Sequence, residues 1–346
     1  MALPHLPTDG KLTPPAKSRL INLGSEIYKY YEDTLFPTDF DERIFYFRST
    51  SVTRARHSLQ YFQKGLFSRY AKKSKQTIEI PHHVVHFCDD ILLYSVEASP
   101  TALSLSEQEA EEKRYKNVKK EYKHVVDHVE RCTGTTLEGS DEFIIYDSVL
   151  VADEIGHTLP NGITKDHLPK IRRLKELLFL TKYPPTPLWC HAVGGRFWSQ
   201  VFFDHFDSDI VAFSSKKPYP RYRHYSSHDT AVLPLLQALG VNLLTETGEV
   251  LYPQYGGFFV VEVYLDQHHT LDNPGVSVKY CLEPPVSGSI DLMELIPQGL
   301  RKEDMNVNTF KQRWADVHRK VKDRSFFTEV CGFDETNVDH LTSCEV

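Results

Sequence analysis

The chain has 346 residues, enough to bury a large core, and its 40% hydrophobic and 25% charged residues are ordinary for a globular protein. Its net charge of -7 and the lack of any Lys/Arg stripe argue against nucleic-acid binding; Lys72-Lys73-Ser74-Lys75 and Lys119-Lys120 are short surface patches. No run approaches the ~18 apolar residues of a membrane-spanning helix, and Met1 to Gly10 has neither the basic start nor the apolar core of a signal peptide.

Thr13-Pro14 reads as an N-cap followed by proline at the first helical position. Leu20, Leu23, Ile27 and Tyr31 follow at spacings of three and four, which predicts a helix with one apolar stripe. Arg43 to Phe47, aromatic and β-branched, predicts a strand that ends at Arg48-Ser49-Thr50, and Ser58 to Leu66 predicts the next helix. Leu103 to Arg131 is crowded with Glu, Lys and Arg and reads as a solvated helix laced with i,i+4 charge pairs. Glu142 to Val151 has strand-like composition, and His167 to Lys182 predicts an amphipathic helix through Leu168, Ile171, Leu174, Leu177 and Leu178.

Gly195 to Phe206 reads as a helix, Tyr222 to Tyr225 as a strand and Ala231 to Leu239 as a helix, in which Pro234 implies a kink or a late start. Phe258 to Tyr264 is the strongest strand of the sequence, with Val276 to Leu282 as its partner. This alternation predicts an α/β fold: a central mixed, mainly parallel sheet flanked by helices. Residues 1-89 and 191-346 form the expected core, and 90-190 an inserted, mostly helical cap.

Two segments carry chemistry. Arg48 stands between a strand and a helix, where its fork can hold phosphate oxygens beside a helix N-terminus. Ser226-Ser227-His228-Asp229 stands at a second such junction. Each has a plainer alternative: Arg48 pairing with a neighbouring acid, Asp229 capping its helix and His228 satisfied in the core. Six cysteines, Cys88, Cys132, Cys190, Cys281, Cys331 and Cys344, show no CxxC spacing, so they suggest no zinc site and leave any pairing open. His82-His83 and His268-His269 are adjacent pairs whose side chains diverge, which disfavours a metal.

Together these segments resemble the histidine acid phosphatases, a branch of the histidine phosphatase superfamily. The similar stretches are Gly10-Lys11-Leu12-Thr13-Pro14, Phe47-Arg48-Ser49-Thr50-Ser51-Val52-Thr53-Arg54, Tyr146-Asp147 through His157-Thr158-Leu159-Pro160, and Tyr225-Ser226-Ser227-His228-Asp229-Thr230, then Gly240, Tyr252-Pro253 and the Phe258 strand. Ser51 stands where the family often has Asp. The resemblance implies that Arg48 clamps phosphate, that His228 is a second phosphate ligand, cationic or donating an N–H, and that Asp229 gives a proton to the leaving alcohol. It implies a phosphomonoester or phosphate as the ligand and neither metal nor cofactor, because arginines supply the positive charge.

The family's Arg-His-Gly-x-Arg motif, whose histidine is the nucleophile, has no counterpart. Arg56-His57 and Arg223-His224 are the chain's Arg-His pairs and neither precedes glycine. In the family that motif ends a central strand, so its loss would leave two unpaired strand edges. Two expectations follow. The chain is an N-terminally incomplete acid phosphatase acting through a phosphohistidine, secreted or lysosomal if a signal peptide is lost upstream. Alternatively it is complete, a cytosolic pseudophosphatase that binds phosphorylated ligands or a protein partner. Both expect the chain as given to be inactive.

Overall fold

The computed structural model describes residues 11–85, 90, 105–138, 141–182, 194–245 and 247–321. Among these, in chain order, are α1 (Pro14–Tyr31), β1 (Phe45–Thr50), α2 (Thr53–Leu66), α3 (Ser68–Ser74), β2 (His83–Val85), α4 (Leu105–Glu121), α5 (Lys123–Thr133), α6 (Asp141–Glu154) and α7 (Leu168–Lys182). Then come α8 (Gly195–Ser199), a π-helical turn (Gln200–His205), α9 (Phe206–Ser214), β3 (Tyr222–Ser226), α10 (Asp229–Ala238), β4 (Phe258–Tyr264), β5 (Gly275–Cys281), β6 (Met293–Leu295) and α11 (Val307–Val321). The chain divides into two compact units. One comprises Met1–Pro15, Leu103–Pro184 and Leu244–Tyr252; the other comprises Ala16–Ala102, Pro185–Leu243 and Pro253–Val346.

The first unit is helical. Val125, Val126 and Val129 of α5 pack with Ile145, Tyr146, Val149 and Leu150 of α6 and with Leu168, Ile171, Leu174 and Leu178 of α7. The reading of Glu142 to Val151 as a strand is corrected here: the segment lies in α6. Its β-branched residues suggest a strand, but the buried pairs Ile145/Val149 and Tyr146/Leu150 recur every four residues, and Ile144, just before them, is 63% exposed. Packing overrode composition.

The second unit carries two three-stranded sheets. One has the order β2-β1-β3 and is wholly parallel; the other has the order β4-β5-β6 and is antiparallel. Phe258 to Tyr264 does pair with the strand that follows, Phe258 opposite Cys281 and Tyr264 opposite Gly275. Among the described residues β3 has a ladder partner on one side only, and so has β4. Neither is buried like the middle strands: β3 has one buried residue and β4 none, whereas β5 has six.

One face of the parallel sheet is aromatic. Phe45 and Phe47 join Leu23, Ile27, Tyr28, Phe36, Leu59, Phe62 and Phe67 in a core under α1 and α2. Gly24 of α1 and Gly65 of α2 permit the crossing, because a Cβ on Gly24 would collide with the backbone of Phe62 and Leu66, and one on Gly65 with that of Ile21.

Three boundaries differ from expectation. The first strand starts at Phe45, after a 3-10 turn over Glu42–Ile44, and runs through Arg48 to Thr50. The helix after it starts at Thr53 rather than Ser58, so Arg56-His57 lies in its first turns. The last helix of the His-Asp junction starts at Asp229 and carries Pro234 in its interior, so it does not start late.

Candidate phosphate site at the ends of two parallel strands

β1 and β3 run parallel with Arg48 opposite Tyr225 and Ser49 opposite Ser226, so their C-terminal ends reach the same edge of the sheet. Each end feeds a helix, β1 into α2 and β3 into α10. Ligands of open α/β sheets bind outside such an edge, where strand ends and helix N-termini converge. The two junctions are stitched together. The Ser226 hydroxyl donates to the Ala55 carbonyl across 2.8 Å, and Thr50 Oγ1 lies 3.1 Å from His228 Nε2.

The α2 N-terminus is electropositive. Its N-cap, Val52, offers no side-chain bond and its first turn holds no acid, while Arg54 and Arg56 stand there exposed. Cations at this end oppose the helix dipole, an arrangement that an anion relieves. His228 is the N-cap of α10, correcting the alternative in which Asp229 caps that helix: Asp229 is its first residue, and its Oδ1 accepts from the Thr230 N–H at 2.9 Å. Burial, with Arg54 second, pushes the His228 imidazole down to about 4, against the opposite pull of Asp229. The ring is therefore neutral near pH 7 and acts through one N–H and one lone pair.

Arg48 lies on the other face of the sheet from the aromatic core, in a row with Tyr46 and Thr50. Around this row the Tyr46 ring stacks on His83 with centroids 4.9 Å apart and lies 6.0 Å from that of Tyr225. Tyr225 Oη is 3.4 Å from His205 Nδ1 of the π-helical turn, and Arg223 holds Asp209 of α9 through both guanidinium nitrogens at 2.7 and 2.8 Å. Burial, then Arg223, brings the His205 imidazole down to about 4, with a smaller push from Arg48. Arg48 itself donates from Nη2 to Asp90 Oδ1 at 2.6 Å, with side chains 12% and 0% exposed. That is the acid pairing named above as the plainer alternative. Asp90, Thr50 and Arg54 were not singled out in the sequence; the signal for Arg54 was its place in the first turn of the helix after Arg48.

Among the described residues no group of three or more His, Cys, Asp and Glu side chains is arranged to hold a metal. Cys132 and Cys281 are free thiols, while Cys88, Cys190, Cys331 and Cys344, like Gly10, lie outside the described residues.

The sequence profile of the histidine phosphatase superfamily (branch 2) matches residues 5–282. The chain belongs to this family. It is 26% identical to human prostatic acid phosphatase over 267 residues, covering 75% of this chain and 66% of that protein. It is 24% identical to bovine lysosomal acid phosphatase over 267 residues, covering 74% and 62%. The chain thus spans just under two thirds of the length of these relatives. In fold it is similar to the phytase of Hafnia alvei in complex with tartrate (TM-score 0.63, 15% identity, 92% of this chain and 90% of that one). A similar match is the phytase of Citrobacter braakii (TM-score 0.62, 14% identity, 92% and 90%). The α/β fold with its parallel sheet is that of these histidine phosphatases.

Proposed function

We propose that the edge formed by β1 and β3 binds the phosphoryl group of a phosphate monoester. Arg48 supplies fixed charge, Thr50 and His228 supply hydrogen bonds, and Asp229 faces the ester oxygen. The observation that carries this reading is the Thr50–His228 contact, which joins the two parallel strand ends beside the uncapped, arginine-bearing start of α2. Phosphoryl transfer asks for positioning and positive charge around the equatorial oxygens, and these residues are of the types that provide both without a metal.

In the complete reaction of this family a histidine nitrogen attacks phosphorus and the bond to the ester oxygen breaks, leaving a phosphohistidine. Asp229 gives its proton to the departing alkoxide, which leaves as an alcohol. Water then attacks phosphorus, the P–N bond breaks, and the Asp229 carboxylate takes up the water's proton as phosphate departs. The sequence holds no Arg-His-Gly-x-Arg motif to supply that nucleophile. His57 and His224 do not replace it: His57 lies within α2, and the His224 ring sits 4.3 Å from that of Phe62 in the aromatic core. The 346-residue chain is therefore a phosphate binder without turnover of its own.

Two measurements test this. Calorimetric titration with inorganic phosphate is expected to show binding that Arg48→Met and His228→Ala weaken; binding indifferent to both substitutions would remove the assignment. Hydrolysis of a chromogenic phosphomonoester is expected to be equally negligible for the chain and its Asp229→Asn variant. Robust turnover abolished by that substitution would show that a nucleophile is present after all.

A further inference from the structure

The last turns of α5 hold a cluster that phosphate binding does not use. His128 and Cys132 stand one turn apart on the same face of that helix, with His128 Nε2 3.7 Å from Cys132 Sγ. The carbonyl oxygen of Gly162, in the loop before α7, lies 3.1 Å from the same Nε2. Gly162 also abuts the sulfur: its φ is +95°, and a Cβ there would stand 2.8 Å from Cys132 Sγ. An imidazole nitrogen, a thiol sulfur and a carbonyl oxygen therefore meet at one place in the helical unit.

Their spacing suits a metal ion. Around a tetrahedral zinc, with Zn–S of about 2.3 Å and Zn–N and Zn–O of about 2.1 Å, N and S ligands stand roughly 3.6 Å apart and N and O ligands roughly 3.4 Å. The donors are also held from outside the cluster. The His128 ring stacks on that of His167 with centroids 4.2 Å apart, and His167 Nδ1 accepts from the Thr164 N–H at 3.0 Å. Cys132 packs against the helical core. Such support is what keeps a ligating histidine in place. Cys132 is the last residue but one of α5, at the negative end of the helix dipole. That end disfavours a free reactive thiolate and favours a bound cation.

We propose that His128, Cys132 and the Gly162 carbonyl form a site for Zn²⁺ or another thiophilic divalent cation, which staples the loop before α7 to the end of α5. The site is independent of the phosphate reading. Among the described residues no third His, Cys, Asp or Glu side chain completes the set, so water takes the fourth position. On binding, the Cys132 thiol gives its proton to solvent and the imidazole moves its hydrogen from Nε2 to Nδ1, freeing the Nε2 lone pair for the metal. No electron is transferred. A plain hydrogen bond from Nε2–H to the Gly162 carbonyl would instead leave the chain indifferent to metal.

The test is titration of Co²⁺ into the full chain, reduced and freed of metal, followed by the thiolate-to-cobalt charge-transfer absorption. Cys132→Ser is expected to remove one equivalent of bound cobalt together with its band, His128→Ala to weaken that equivalent by at least about tenfold, and Cys281→Ser to change neither. No band in the parent, a stoichiometry unchanged by Cys132→Ser, or an affinity unchanged by His128→Ala overturns the proposal. Should a variant fail to fold, the unmutated chain decides. Zn²⁺ is expected to slow the alkylation of Cys132 by iodoacetamide, read by peptide mass, and to leave Cys281 unaffected; equal rates for Cys132 with and without Zn²⁺ overturn the site.

Discussion

Thr50 Oγ1 and His228 Nε2 are 3.1 Å apart although 178 residues separate them in the chain. Thr50 is completely buried at the end of β1, and His228 stands two residues beyond the end of β3. Parallel pairing of the two strands brings them to one edge, so the candidate site is made by sheet register rather than by either motif alone.

Thr50→Val keeps the shape of the side chain and removes its hydroxyl. The expected outcome is a roughly three- to tenfold loss of affinity for inorganic phosphate, the worth of one hydrogen bond, with the fold intact. Unchanged affinity by calorimetry would show that the contact is only structural.

Stability is expected to fall on acidification before the carboxylates titrate. Burial lowers the pKa of His205, His224 and His228 from 6.5 to about 4 each. The unfolded chain therefore binds more protons than the folded one between those values. Stability from keeping these rings neutral is present above pH ~6.5 and is lost as pH falls toward ~4. Urea unfolding at a series of pH values checks the slope. His224→Phe, which suits a ring packed among Phe47, Phe62 and Tyr222, should flatten it; a slope unchanged in that variant would contradict the assignment.

Gly24→Ala is expected to destabilise the second unit by about 2–4 kcal/mol, since its Cβ would meet backbone atoms of α2 that cannot move aside. Gly134→Ala is the control. No atom lies within 4 Å of its Cβ, so only the strain of its φ of +70° counts, at about 1 kcal/mol. Denaturant midpoints for the two variants test the ranking, and equal losses would mean that the α1–α2 crossing is not tight.

Leu174→Ala removes a fully buried side chain from the helical unit. The expected cost is about 2–5 kcal/mol. Chemical denaturation followed by far-UV circular dichroism reads it, and a loss below ~1 kcal/mol would mean that α7 does not anchor that core.

Much of the fold was legible where a local signal and the final packing agreed. Thr13-Pro14 marks the start of α1, and the run of aromatic and β-branched residues over Phe258–Tyr264 marks β4. The reading failed at α6, whose isoleucines and valines have strand propensity and whose helical state is fixed by partners in α5 and α7. The end of β1 is less legible, because the aromatic and β-branched run stops at Phe47 and Arg48 and Ser49 have no strand preference. They are held in the strand by ladder bonds to β2 and β3.

The sequence by itself determined the family, the two strand-to-helix junctions and the absence of an Arg-His-Gly-x-Arg motif from these 346 residues, because each is a local pattern of residue types. Only the tertiary structure decided that Thr50 meets His228, that the His228 ring is neutral, and that Arg48 is already paired with Asp90. Those facts depend on which distant groups share a low-dielectric space, and separation along the chain carries no record of that.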